Sequence, residues 1–158
     1  MALRLKILVV GKVKHAYLAE GIADYYARLQ HYTQIKLTEV KELRSVVKYS
    51  EAELLSRQAV ELTRLLPPGD FLIALDRTGV KLDSPGLARL LQDCMNQNHS
   101  SLTFLIGSEL GLAPELLHQA DRILSLSNLT FTHDMSRLIL LEQLYRAFTI
   151  LAGQKYHK

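Results

Sequence analysis

The sequence predicts an α/β fold built on a mostly parallel sheet of five to six strands. Short apolar runs alternate with longer stretches of helical spacing, the pattern of strands joined by crossover helices. Several of those runs are continuously apolar, as strands covered on both faces are. The chain has 158 residues, 48% of them hydrophobic, which is enough for one sizeable core and too apolar for a disordered segment. No repeat, low-complexity tract or linker interrupts it, so residues 1–158 read as a single domain.

Ile7-Leu-Val-Val10, ending at Gly11, is the first strand. Tyr17, Leu18, Ile22, Tyr25, Tyr26 and Leu29 then recur at helical spacing. Ile35-Lys-Leu-Thr-Glu-Val40 alternates and reads as a second strand nearer the sheet edge. Ser50-Glu-Ala-Glu53 has the capping-box spacing and opens a helix to Leu66, stopped by Pro67-Pro-Gly-Asp70. Phe71–Leu75 is the third strand, and Asp83-Ser-Pro85 caps a helix to about Gln97. Leu102–Ile106 is the fourth strand, a short helix starts near Pro114, and Arg122–Leu126 is the fifth strand. A last helix spans roughly Asp134 to Ala152, closed by Gly153. Strand order is not visible in such a pattern.

No apolar run approaches the ~20 residues of a membrane helix, and the first ten residues mix charge into a strand-like stretch rather than a signal peptide. The lone Cys94 has no internal partner for a disulfide. These features predict a cytoplasmic chain that uses no membrane. A net charge of +3 is too small to establish a nucleic-acid partner, although the first 50 residues hold nine Lys/Arg against four Asp/Glu. That asymmetry suits a phosphate-rich partner, and equally a solvated basic face.

Ligands of parallel sheets bind beyond the carboxyl ends of the strands. The loops of interest are therefore Asp76-Arg-Thr-Gly79, Gly107-Ser-Glu-Leu-Gly111 and Ser127-Asn-Leu-Thr-Phe-Thr-His133. No phosphate-binding loop or dinucleotide fingerprint occurs, Ser108 is not in a nucleophile elbow, and no paired histidines or cysteine cluster point to a metal. The tyrosine stripe of Tyr17, Tyr25 and Tyr26 reads as packing before it reads as a base-stacking platform. On the last helix, Arg137, Glu142 and Arg146 punctuate apolar residues and must find partners in the fold, across an interface or on a ligand. The end, Gly153-Gln-Lys-Tyr-His-Lys158, has the residue types of a phosphate- or base-contacting tail.

The run Phe131-Thr-His-Asp-Met-Ser-Arg-Leu-Ile-Leu-Leu-Glu-Gln-Leu-Tyr-Arg-Ala-Phe148, with Tyr156-His-Lys158, closely resembles the ribosomal RNA large subunit methyltransferase H family. Val9-Val-Gly-Lys-Val-Lys14, Leu75-Asp76 with Gly79, Phe104–Gly107, Glu109–Leu112 and Leu124–Ser127 match the rest. The resemblance implies a SPOUT-type α/β knot with a C-terminal trefoil knot, acting as a homodimer. It further implies methyl transfer from S-adenosylmethionine to N3 of a pseudouridine in large-subunit (23S) ribosomal RNA, on assembled ribosomes and without a metal. Carried over residue by residue, the cofactor site is Leu75, Gly107, Leu126, Ser127, Asn128, Leu129, Thr130 and Phe131.

His133 then becomes the candidate to assist loss of the imide proton, since histidine titrates near neutral pH. Arg137, one helical turn on, would stabilise the anion or hold a phosphate. The competing reading has His133 capping the helix and Arg137 bridging the dimer. Tyr156 and His157 would complete the site, from the partner subunit on one reading, and Lys12, Lys14, Arg146, Lys155 and Lys158 would contact RNA. Two residues depart from the family pattern: Ser108 stands where a second glycine is usual, and Thr132 where proline is usual. Both substitutions predict weaker cofactor binding. A SPOUT enzyme acting on another RNA such as transfer RNA, and a non-catalytic RNA-binding descendant, remain open alternatives.

Overall fold

The computed structural model describes residues 2–43 and 48–158. Met1, where the expected first stretch begins, and Arg44, one of the basic residues of the first fifty, lie outside the described residues. Five parallel strands, β1 (Arg4–Val10), β2 (Ile35–Val40), β3 (Phe71–Lys81), β4 (Ser101–Ile106) and β5 (Arg122–Ser125), form one sheet in the order β2-β1-β4-β3-β5. The helices are α1 (Ala16–Leu29), α2 (Glu51–Leu65), α3 (Ser84–Asn96), α4 (Pro114–Gln119) and α5 (His133–Leu151).

The two-residue period of a strand sends alternate side chains to opposite faces, and β1 shows the result. Leu5, Ile7 and Val9 enter a core shared with Leu91 of α3 and Leu140, Leu141, Leu144 and Phe148 of α5. Leu8 and Val10 enter a second core with Ala59 and Leu62 of α2 and Leu116 of α4. Both faces are therefore covered, which is why the strand reads as a continuous apolar run. The alternating β2 lies at the sheet edge, as its pattern predicts. Ser50 accepts from the Glu53 amide at 3.2 Å and Asp83 from the Gly86 amide at 2.7 Å, so both expected caps form.

Several boundaries differ from expectation, β4 beginning at Ser101 and α2 ending at Leu65, each by one residue. β1 begins at Arg4 rather than Ile7, because Lys6 carries its charge within the strand by reaching Asp70 at 2.9 Å. β5 ends at Ser125, one residue short of Leu126. β3 runs on to Lys81 instead of stopping at Leu75, since Leu75 and Val80 both pair with Leu124 and the residues between them loop outward. Gly79 makes this possible: a Cβ there would lie 2.6 Å from the backbone of Ile123 and Leu124.

At the amino ends of the strands, Asp70 ties three strands together. Its carboxylate accepts from Lys6 of β1 at 2.9 Å, from Thr103 of β4 at 2.8 Å and from Ser101 of β4. Burial pushes this carboxyl up, but the bonds from Ser101, Lys6 and Thr103 outweigh it and leave it below its ordinary 3.8. A depressed carboxylate stabilises the fold above its unfolded-state value, and the contribution is lost as pH falls through the lower folded-state value. Asp70→Asn should therefore cost roughly 1–3 kcal/mol at neutral pH, and the gap to wild type should shrink as pH drops below the ordinary carboxylate range. Urea unfolding of both proteins across pH 3 to 7 measures this.

Candidate active site

The sheet order brings the expected cofactor residues together. β4, β3 and β5 are neighbours, so Gly107, Leu75 and Leu126 leave adjacent strands, which lie about 4.8 Å apart. Gly107 is buried, and a Cβ on it would lie 2.4 Å from the Gly111 carbonyl oxygen and 2.6 Å from its carbon. The turn after β4 closes only over a glycine. Leu75 and Leu126 are half-buried and offer apolar walls, while Asn128, Leu129 and Thr130 are exposed, Leu129 by 73%. The Leu129 amide donates to Ser127 Oγ at 3.0 Å. Among the described residues, the amides of Asn128 and Thr130 have no such partner.

Ser108 does not occupy a left-handed conformation; the positive φ in this turn belongs to Gly111, at 86°. Ser108 Oγ accepts from the Leu110 amide at 3.3 Å and helps hold the turn. Thr132 likewise has a local use, since its side chain accepts from the Met135 amide at 3.2 Å and caps α5. Proline has no side-chain oxygen to do this. The expectation that His133 caps the helix is corrected by the same bond: the cap is Thr132, and His133 is the first helical residue.

From Leu126 to Thr132 the chain crosses from β5 at one sheet edge to the far side of the sheet, where His133 lies over the end of β1. His133 Nε2 would be 3.6 Å from a Cβ placed on Gly11. The imidazole is 8% exposed, and both ring nitrogens are buried without a hydrogen bond. Nε2 lies 3.3 Å from Asp134 Oδ1, a short ionic distance without hydrogen-bond alignment. The other oxygen of Asp134, itself buried, accepts from the Lys14 amide at 3.1 Å. Sequence reasoning passed over Asp134, because an acidic residue in a first helical turn is ordinary dipole chemistry. Its burial, with the Lys14 amide of the β1–α1 loop bonded to it, is visible only in the fold.

Arg137 is 1% exposed and is the largest fully buried side chain. One terminal nitrogen donates to Glu39 Oε2 at 2.8 Å, the other to the Gly11 carbonyl at 2.9 Å, and Nε has no partner. The guanidinium thus ties the start of α5 to the ends of β1 and β2.

The tail residues stand elsewhere. Gly153, with φ 69°, ends α5 in a Schellman arrangement: its amide donates to Ile150 and that of Gln154 to Thr149. The chain turns back, and Tyr156 OH donates to Glu142 Oε1 at 3.1 Å beside Tyr25 OH at 3.3 Å. Its ring meets Tyr145 edge-on at 4.8 Å and lies under the Arg146 guanidinium at 4.7 Å. Burial, then the hydrogen bonds with Tyr25 and Glu142, hold this phenol well above its ordinary range, so it is a hydrogen-bond donor at neutral pH and not a base. Glu142 is nine residues beyond His133, roughly 13 Å along the helix. The tail therefore packs away from the His133 of the same chain.

Of the expected RNA-contact residues, Lys12 and Lys14 are exposed near His133, and Lys155 and Lys158 are exposed on the tail. Arg146 is half-buried and already engaged within the chain. It holds Glu142 Oε1 through Nε at 3.1 Å and a terminal nitrogen at 2.6 Å, and approaches His157 Nδ1 at 3.4 Å. No cluster of His, Cys, Asp or Glu suited to a metal occurs among the described residues, and no helix there is long and apolar enough to cross a membrane.

A family described as predicted SPOUT methyltransferase matches residues 3–157. The chain is 46% identical over 155 residues to the ribosomal RNA large subunit methyltransferase H of Desulfotalea psychrophila, covering 97% of this chain and 98% of that protein. It is 43% identical over 159 residues to the protein of the same name from Halothermothrix orenii, covering 99% and 100%. Among solved structures, a probable methyltransferase from Bordetella pertussis Tohama I superposes with a TM-score of 0.60 at 14% identity, covering 92% of this chain and 95% of that one. At that identity the likeness concerns the fold alone.

If Arg137 anchors α5, Arg137→Lys loses one of its two bonds and should cost roughly 1.5–3 kcal/mol in denaturant unfolding. Glu39→Ala leaves the buried guanidinium without its counter-charge and should cost more, about 3–5 kcal/mol.

Proposed function

Because the chain belongs to the SPOUT methyltransferase family, we propose that it methylates N3 of a pseudouridine in large-subunit (23S) ribosomal RNA, on assembled ribosomes in the cytoplasm. The relatives' names support ribosomal RNA as the substrate. The observation that carries the chemistry is the loop from Leu126 to Thr132, which leads from three adjacent strand ends directly into a histidine with two unpartnered ring nitrogens.

S-adenosylmethionine is the methyl donor in this reading, and when bound it supplies an electrophilic methyl on a sulfonium. The residues present fit it. Leu75, Leu126 and Leu129 provide apolar surface beside the tight turn at Gly107, and the amides of Asn128 and Thr130, without a partner among the described residues, are free to meet a polar edge. Ser127 and Phe131 complete the strip.

His133 accepts the imide proton of the target base, through Nδ1 in the arrangement that leaves Nε2–H facing Asp134 Oδ1. Asp134 is the positioning residue: held by the Lys14 amide, it orients the ring and offsets the charge the ring gains. The ring is covered here, so substrate engagement must open the Lys14 side of the loop. Arg137 keeps the helix start fixed meanwhile. In a homodimer, the second subunit's tail brings Tyr156 and His157 with Lys155 and Lys158 to this site, because a protomer's own tail lies along the distant part of α5. Arg146, held to Glu142, sets the platform from which the tail departs, and Lys12 and Lys14 meet phosphates. The chain leaves β5 at a sheet edge and enters α5 against both α1 and α3, which suits passage beneath the β3–α3 connection and closure of the trefoil knot.

The direct test is transfer of labelled methyl to ribosomes that lack the modification, with the labelled nucleotide mapped. Label confined to a large-subunit pseudouridine is expected. Label on transfer RNA in its place, or ribosome binding with no transfer, would replace this reading with another RNA substrate or a non-catalytic role. His133→Gln should lower kcat by about 10²- to 10⁴-fold, with cofactor affinity by calorimetry unchanged. Gly107→Ala should do the reverse, weakening cofactor binding by about tenfold or more, since a Cβ within 2.4 Å of Gly111 must displace the turn.

A further inference from the structure

We propose that the loop between β1 and α1 is a stacking platform for a single-stranded nucleotide of the RNA, with the rings of Tyr17 and His15 as its surface. The proposal deepens the ribosomal-RNA reading and rests on it. Tyr17 is 67% exposed, whereas the other six tyrosines are partly buried. It has no part in either core. Its ring stacks on the exposed imidazole of His15, centroids 5.4 Å apart and planes inclined by 24°. The two rings order each other, so a third ring added to the stack meets surface that is already arranged.

The charge around the pair decides what that third ring belongs to. Residues 11–19 contain Lys12 and Lys14 and no carboxylate, and the first turn of α1 carries no acidic residue. Both lysines are exposed. Stacked aromatics flanked by lysines at a helix amino end suit a base with its phosphates, the combination by which proteins hold unpaired nucleotides. An apolar protein surface would leave these ammonium groups without counter-charge.

The position ties the platform to the chemistry. Lys14 donates its amide to Asp134 at 3.1 Å, and the Gly11 carbonyl accepts from Arg137 at 2.9 Å. The stack and the unpartnered His133 ring are thus held by one short loop. A nucleotide on Tyr17 is a neighbour of the target in the strand, and stacking fixes its place without reading its identity, since every base has a π-face.

Binding of fluorescently labelled protein to ribosomes lacking the modification, without cofactor, tests this for wild type, Tyr17→Ala and Tyr17→Phe. Tyr17→Ala should weaken binding roughly 5- to 150-fold, the range measured for removing one base–aromatic stack, and raise KM for ribosomes more than it changes kcat. Tyr17→Phe should bind within about twofold of wild type, since the ring and not the hydroxyl stacks. Unchanged binding by Tyr17→Ala, or a change of oligomeric state in sedimentation, overturns the platform; the latter assigns Tyr17 to a contact between copies. Methyl transfer by wild type alongside unaltered binding by Tyr17→Ala defeats the platform and leaves the activity standing. Ring-dependent binding without methyl transfer does the opposite, and no ribosome binding by wild type defeats both.

Discussion

A guanidinium buried inside the protein is the constraint around which the site is arranged. Removing Arg137 from water is costly unless its donors are taken up, and the acceptors that meet it are Glu39 on β2 and the Gly11 carbonyl after β1. Those two groups lie at the carboxyl ends of neighbouring strands, at the opposite side of the sheet from β5. The start of α5 is thereby fixed there, although β5 delivers the chain to the other edge. The loop from Leu126 to Thr132 must cover that distance above β3 and β4, over the ends where Leu75 and Gly107 emerge. The course of the loop and the place of His133 both follow from where one cation is satisfied.

Much of this architecture is legible in the sequence because it depends on local pattern. Burial on both faces gives β1 its continuous apolar run from Ile7 to Val10, and the caps at Ser50 and Asp83 form between residues three apart. Gly153 signals the helix stop and adopts the positive φ it permits. Strand order is another matter. β4 lies between β1 and β3 because helices from distant parts of the chain cover each face, and no window of sequence contains that information. The extension of β3 to Lys81 escapes notice for a related reason, since it depends on Gly79 meeting the backbone of Ile123 and Leu124.

The candidate site divides along the same line. The three loops at the strand ends follow from a general property of parallel sheets, while Leu75, Gly107 and the residues from Leu126 to Phe131 are singled out as cofactor contacts by the family resemblance. The polar residues of α5 do not sort themselves. Arg137 and Arg146 look equivalent in the sequence, each an arginine among apolar residues, yet one is buried on two strand ends and the other holds Glu142 beneath Tyr156. Asp134 is overlooked because its importance lies in its burial. The ends of α5 also lie apart, with His133 at one end and the tail packed along the other, and the proposed reaction draws on a second subunit for that reason.

The central claim is that the loop anchored through Arg137 turns three strand ends and His133 into one methyl-transfer site. The most direct measurement is a crystal structure of the chain with S-adenosylhomocysteine, the demethylated cofactor. The account predicts its adenine along residues 126–131 between Leu75 and Gly107, with the sulfur directed toward His133. Ligand bound elsewhere on the chain, or with its sulfur turned away from His133, would contradict it.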